Sequence, residues 1–113
     1  MLTIYHNPRC SKSRQTLELI NQNSTKELAV VEYLKQPLNK QEIEQLLALL
    51  ACKPKEMMRV KESEFKAQNL ANATDEQLID AMVNTPKLIE RPIVSDGSRA
   101  IIGRPPENVL ALC

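Results

Sequence analysis

Leu2-Thr3-Ile4-Tyr5-His6-Asn7-Pro8-Arg9-Cys10-Ser11-Lys12-Ser13-Arg14 opens the chain, and the rest of the sequence is best understood from it. Leu2–Tyr5 alternates as a short strand, Asn7-Pro8 breaks it, and a helical pattern starts directly after Cys10. This order puts a thiol at a helix N-terminus. There, unpaired backbone N–H groups and the helix dipole favour a thiolate and any bound anion. His6, Arg9, Lys12 and Arg14 stand within a few residues, and each is expected to lower the thiol pKa and sharpen its nucleophilicity. The alternative, a cysteine buried for packing alone, does not account for this charged setting.

Outward from that stretch, Leu17, Leu19 and Ile20 give a helical stripe over about Ser11 to Asn21, and Asn21–Ser24 reads as a loop. Leu28–Tyr33 is a second strand. Two strands joined by a helix imply a parallel pair with a right-handed crossover. Asn39-Lys40-Gln41-Glu42 starts another helix with a capping box, its apolar face formed by Ile43, Leu46, Leu47 and Leu50. Shorter helical pieces follow Pro54, around Lys55–Val60 and Glu62–Gln68. Thr74-Asp75-Glu76-Gln77 caps a helix that Pro86 ends. Ile93-Val94 and Ala100-Ile101-Ile102 flank Asp96-Gly97, the signature of an antiparallel hairpin. Pro105-Pro106 suits the first turn of a last short helix, Glu107–Leu112.

The resulting order is β-α-β, a helical stretch, then β-β-α. It resembles the thioredoxin-like (glutaredoxin-type) fold class, an α/β arrangement with a mixed four-stranded sheet flanked by helices. The expected organisation is one domain over residues 1–113, with a helical insertion at about 53–85 between the two halves. In thioredoxin-like folds the residue opening the third strand is a cis-proline beside the reactive cysteine, which makes Pro92 the candidate here.

Fifteen basic and fourteen acidic residues nearly cancel, so general attraction to nucleic acid or an acidic membrane is not expected. No run approaches the ~18 apolar residues that span a bilayer, and no signal segment is visible. The three cysteines, Cys10, Cys52 and Cys113, are far apart, in neither CxxC nor zinc-ligand spacing, and there is one histidine. No metal site is expected, and a reducing cytoplasm is the expected location. With three aromatic residues and no long exposed apolar run, a monomer is expected.

A dithiol oxidoreductase of this fold carries Cys-x-x-Cys, whose second thiol resolves the mixed disulfide. Ser13 occupies that position here, so the site is monothiol. Cys52, after a Leu-rich helix, is expected in the core. Cys113 is expected to be mobile. The resolving thiol is then external, most simply glutathione or a small dithiol protein. A tetrahedral oxyanion would call for guanidinium groups, and Arg59, Arg91, Arg99 and Arg104 lie outside the first motif. Arg99 reads as solvated surface. A phosphatase loop needs Cys-x5-Arg, but Thr16 stands six positions after Cys10, which excludes it.

The sequence is similar to the glutaredoxin-dependent arsenate reductase family along almost its whole length. The resemblance is carried by Ile4–Arg14, Tyr33-Leu34, Met58-Arg59, Gln77-Leu78-Ile79-Asp80, Leu88–Val94 and Gly103-Arg104-Pro105. The pairing of His-Asn-Pro-x-Cys with the later Arg-Pro-Ile-Val segment makes it specific. It implies a catalytic nucleophile at Cys10, assistance from His6, anion binding by Arg59, Arg91 and Arg104, and a cis-proline at Pro92. Val60-Lys61-Glu62-Ser63 departs from the family's best-known member. The activity implied is reduction of arsenate to arsenite, with glutathione as co-substrate, glutaredoxin as partner and no bound cofactor. Two rivals share the scaffold. One is a glutathione-linked thiol oxidoreductase with another substrate. The other is an Spx-like regulator that binds RNA polymerase and senses redox through Cys-x-x-Cys, which Ser13 argues against.

Overall fold

A computed structural model describes residues 1–113. Its contacts gather into two compact units, one made of Met1–Gln36 with Arg91–Cys113, the other of Pro37–Glu90.

The first unit holds a four-stranded sheet in the order β2-β1-β3-β4. Strands β1 (Leu2–Tyr5) and β2 (Leu28–Val31) are parallel, with Leu2 opposite Leu28 and Tyr5 opposite Val31. Strand β3 (Ile93–Ser95) runs antiparallel to β1, and β4 (Ala100–Ile102) antiparallel to β3. Between β1 and β2 lies helix α1 (Ser11–Asn23), and the chain ends in a 3₁₀ helix, Pro106–Leu112. Leu2 and Ile4 share one face of β1 because side chains alternate along a strand. On that face they meet Ile20 of α1, Val94 of β3, and Val109 and Leu112 of the terminal helix in one core. This is the mixed sheet with helices expected from the element order, with the helical segment inserted between its βαβ and ββα halves.

The second unit is helical: α2 (Lys40–Leu50), α3 (Ser63–Ala67) and α4 (Asp75–Asn84), with 3₁₀ turns at Pro54–Met57, Leu70–Asn72 and Pro86–Leu88. Both predicted capping boxes form. Glu42 N–H donates to Asn39 Oδ1 at 2.8 Å, and Gln77 N–H to Thr74 Oγ1 at 3.2 Å. Each cap satisfies N–H groups that the first helical turn leaves unpaired.

The differences from expectation fall at element ends. Strand β2 stops at Val31, not Tyr33, because Lys35 and Gln36 N–H groups both close on Glu32 O at 2.9 Å. That turn tucks Tyr33 fully inside. Helix α1 continues to Asn23, where the Asn23 amide donates to Leu19 O at 2.8 Å. The terminal helix is 3₁₀ and begins at Pro106, and the segment after Pro54 is a 3₁₀ turn that gives way at Met58 to a bridge with Ile89. Cys113, expected to be mobile, is half-buried against the core, its Sγ 3.7 Å from Val109 O. Cys52 is half-buried, where the core was expected. No helix is long and apolar enough to cross a membrane.

Candidate active site

The chain leaves β1 with His6 N–H on Val31 O at 2.8 Å, then turns. Asn7 builds the turn. Its Oδ1 accepts Arg9 N–H at 3.0 Å and its carbonyl accepts Cys10 N–H at 3.0 Å. Cys10 is the N-cap of α1 in extended conformation, and its carbonyl takes Arg14 N–H at 3.0 Å as the first helical bond. The sulfur therefore sits where the helix offers its unpaired N–H groups.

Burial pushes the Cys10 thiol up. Against it act a hydrogen bond from Arg91, the Ser13 N–H, the Arg91 charge and the Lys12 N–H, and together they hold the thiol below its ordinary range. Arg104, exposed at the end of the hairpin, adds Nη2 at 3.8 Å from Cys10 Sγ. The same guanidinium donates through Nε to Arg91 O at 2.9 Å, so the two arginines are tied to each other. Arg91 is half-buried. Its Nε is a buried donor with no hydrogen-bond partner. Tyr33 and Cys10 both favour the Arg91 charge against the cost of burying it.

The local cations behave differently from the sequence expectation. Arg14 Nη1 donates to Pro8 O at 3.0 Å and so braces the loop, while the Arg9 and Lys12 side chains are exposed. Lys12 stabilises the thiolate through its backbone, and the decisive side chain, Arg91, comes from the far end of the sequence.

His6 is buried, with Nδ1 2.7 Å from Ser13 Oγ. Ser13 Oγ also accepts Asn7 N–H at 3.0 Å, so one hydroxyl joins the imidazole to the backbone of the Cys10 loop. Burial pulls the His6 pKa down, Glu32 counters, and Arg14 lowers it further, which favours a neutral ring. From the sequence alone Ser13 stands out only as the absence of a second cysteine. The available signal was a small polar residue on the apolar face of α1, three positions after the nucleophile. Asn7 and Tyr33 were likewise unassigned.

Both the Arg91–Pro92 and Arg104–Pro105 peptide bonds are cis, the first as expected and the second not foreseen. Gly103, between β4 and Arg104, donates N–H to Pro92 O at 2.9 Å. A Cβ there would lie 2.8 Å from Thr16 Oγ1 and 2.9 Å from Pro92 Cγ, closer than such atoms pack. Beside the loop, a groove of about 230 Å³ opens between His6, Pro8 and Arg9 on one side and Glu32, Leu34 and Lys35 on the other. Arg91 and Arg104 thus converge on Cys10. Arg59 belongs to the second unit, where its Nη1 is ion-paired with Glu62.

The chain is 50% identical over 112 residues to the uncharacterised protein YfgD of Escherichia coli K12, covering 96% of this chain and 93% of that protein. It is 39% identical to the arsenate reductase of Haemophilus influenzae, covering 96% of each. Among solved structures, the arsenate reductase from Vibrio cholerae superposes with a TM-score of 0.94 at 42% identity, over 99% of this chain and 97% of that one. Residues 5–112 match the ArsC family, and the chain belongs to it.

Proposed function

We propose that this protein reduces arsenate to arsenite in the cytoplasm, with the Cys10 thiolate as nucleophile and glutathione and glutaredoxin as the source of electrons. The observation that carries the reading is the convergence of Arg91 and Arg104 on a thiol already held below its ordinary pKa at the start of α1. A nucleophile alone suits many reactions. A nucleophile under two guanidinium groups, one with an unsatisfied donor, suits attack on a tetrahedral oxyanion.

In this mechanism Arg91 and Arg104 bind the oxyanion, and positioning lowers the barrier by pre-aligning arsenic with sulfur. Cys10 Sγ forms a bond to arsenic, and one oxygen leaves as water after protonation. His6 acts through Ser13 and Asn7, keeping the loop that carries the thiol in place. Glutathione then attacks the thiol-bound arsenic. Over the cycle two thiols become one disulfide, their two electrons take As(V) to As(III), and glutaredoxin resolves the mixed species. The groove beside the Cys10 loop gives a small thiol a path to that loop. Cys113, its Sγ 3.7 Å from Val109 O, is not used as a resolver in this reading.

The test is arsenate-dependent NADPH consumption in an assay coupled to glutathione, glutathione reductase and glutaredoxin. The wild type and Cys113→Ser turn over arsenate, whereas Cys10→Ser loses at least about 10³-fold, as expected on removing a nucleophile. Full activity in Cys10→Ser sinks the proposal.

One observation favours a second reading, a glutathione-linked thiol enzyme acting on another substrate. Arg59 is already paired with a carboxylate of its own, Glu62, which reduces the positive charge left for an oxyanion. Slow arsenate turnover beside normal glutathionylation of Cys10 selects that reading.

A further inference from the structure

Two loops leave the sheet of the first unit side by side. Tyr5 at the end of β1 is opposite Val31 at the end of the parallel strand β2, so His6–Arg9 and Glu32–Lys35 emerge from the same edge. His6 N–H on Val31 O at 2.8 Å joins the first loop to β2, and the Lys35 and Gln36 N–H groups close the second loop on Glu32 O. The groove of about 230 Å³ lies between them. Pro8 and Leu34 give it an apolar wall, and Leu34 stays 45% exposed. Its charged residues are Arg9, Glu32 and Lys35. Lys35 Nζ is 3.6 Å from Glu32 Oε1, and with side chains 78% and 39% exposed that pair is strongly screened by water. The Arg9 side chain is exposed, and the activation of Cys10 does not draw on it.

We propose that this groove is the docking site of glutathione, with Arg9 and Lys35 holding its two carboxylates and Glu32 its ammonium group. The proposal deepens the functional reading above and rests on its choice of glutathione as reductant. Cys10 is only 9% exposed, so a small thiol reaches its sulfur more readily than a thiol on a folded protein. Ser13 leaves no second thiol on α1, so the reductant has to come from outside. Arg9 immediately precedes Cys10, and consecutive Cα atoms are ~3.8 Å apart, so a ligand held on Arg9 is next to the nucleophile's loop. The charges match in sign and number. Two cations and one carboxylate line the groove, and glutathione brings two carboxylates and one ammonium. A guanidinium suits a carboxylate because it donates two parallel hydrogen bonds. The methylene groups of the γ-glutamyl chain fit the wall of Pro8 and Leu34 and take Leu34 out of water. The Lys35–Glu32 pair opens readily, since the ligand gives each residue a new partner.

The test needs no arsenate. Oxidised glutathione reacts with Cys10 by exchange: the thiolate attacks one sulfur, a mixed disulfide forms, and the second glutathione leaves as its thiolate. Mass spectrometry of the full chain follows this rate beside that of hydroxyethyl disulfide, an uncharged probe that reports the reactivity of the thiol itself. Arg9→Gln should lower the ratio of the two rates about threefold, Lys35→Gln about twofold, and the pair about sixfold. Glu32→Gln separates docking from general attraction. A ligand that sets its ammonium on Glu32 loses about twofold, whereas an anion drawn by net charge alone gains. An unchanged ratio in the double variant, or a raised ratio in Glu32→Gln, overturns the site. In the coupled arsenate assay the same variants should raise KM for glutathione and leave KM for arsenate unchanged. A wild type inactive on arsenate that shows the expected ratios refutes the arsenate reading and leaves the groove assigned. An active enzyme whose ratios do not respond refutes the groove alone.

Discussion

Cys10 and Cys52 are two thiols at opposite ends of two helices, and the structure treats them in opposite ways. Cys10 precedes α1, where N–H groups point at the sulfur. Cys52 follows α2, after Ala51 in the left-handed region (φ 53°), and its own N–H turns back to Leu47 O at 3.3 Å. Burial pushes both thiols up. At Cys10 the Arg91 guanidinium and the helix N–H groups reverse that, whereas at Cys52 the neighbouring Glu56 reinforces it. Burial is thus common to both, and the helix end with the nearest charge decides reactivity.

The largest effect expected from this contrast is in alkylation near neutral pH. Cys10 should react and Cys52 should not, as read by mass spectrometry of iodoacetamide-treated protein across a pH series. The Cys10 rate should rise at a pH below the ~8.5 of a free thiol and the Cys52 rate above it. Stability follows the same signs. The folded Cys10 pKa is lowered, so its contribution is fully present above the unfolded thiol pKa and disappears as pH falls through the folded value. The folded Cys52 pKa is raised, so the fold loses stability as pH climbs past the unfolded thiol value. Equal profiles for the two thiols would break the comparison.

A smaller effect is expected from Arg91→Gln. It removes the leading stabiliser of the thiolate while leaving the α1 N–H groups in place, and should slow Cys10 alkylation at pH 7 about tenfold. Loss of all selectivity between the two thiols would assign the whole difference to arginine, and no change would assign it to the helix. The smallest is Glu56→Gln, which should speed Cys52 alkylation at high pH about twofold. An unchanged Cys52 rate would leave burial as the sole cause there.

Much of this was legible in sequence, and what was not has a common cause. The β1–Cys10–α1 unit, the Asp96-Gly97 hairpin and both capping boxes depend on residues within a few positions of one another, and each formed as expected. The identity of the cations that activate Cys10 depends on pairing between β1 and β3, which brings Arg91 to a residue near the other end of the chain. Arg9, Lys12 and Arg14 are closer in sequence, yet a side chain one helical turn away can point to solvent or to a loop carbonyl, as Arg14 does. Glu62 was visible as a departure, but not as the partner of Arg59, since an i,i+3 pair outside a regular helix has no fixed geometry. Tyr33 looks like the end of a strand in the sequence, because its apolar character is evident there and the turn that buries it is not.

Gly103 bears on how the site can change over time. The gap between Thr16 on α1 and Pro92 at the start of β3 admits a hydrogen at that position but not a methyl group. The next residue, Arg104, aims at the sulfur from there. Gly103 therefore acts as a gauge. Any larger side chain would move the guanidinium relative to the thiol before touching either one. Drift at this position is confined to a single amino acid, although Gly103 carries no functional group of its own.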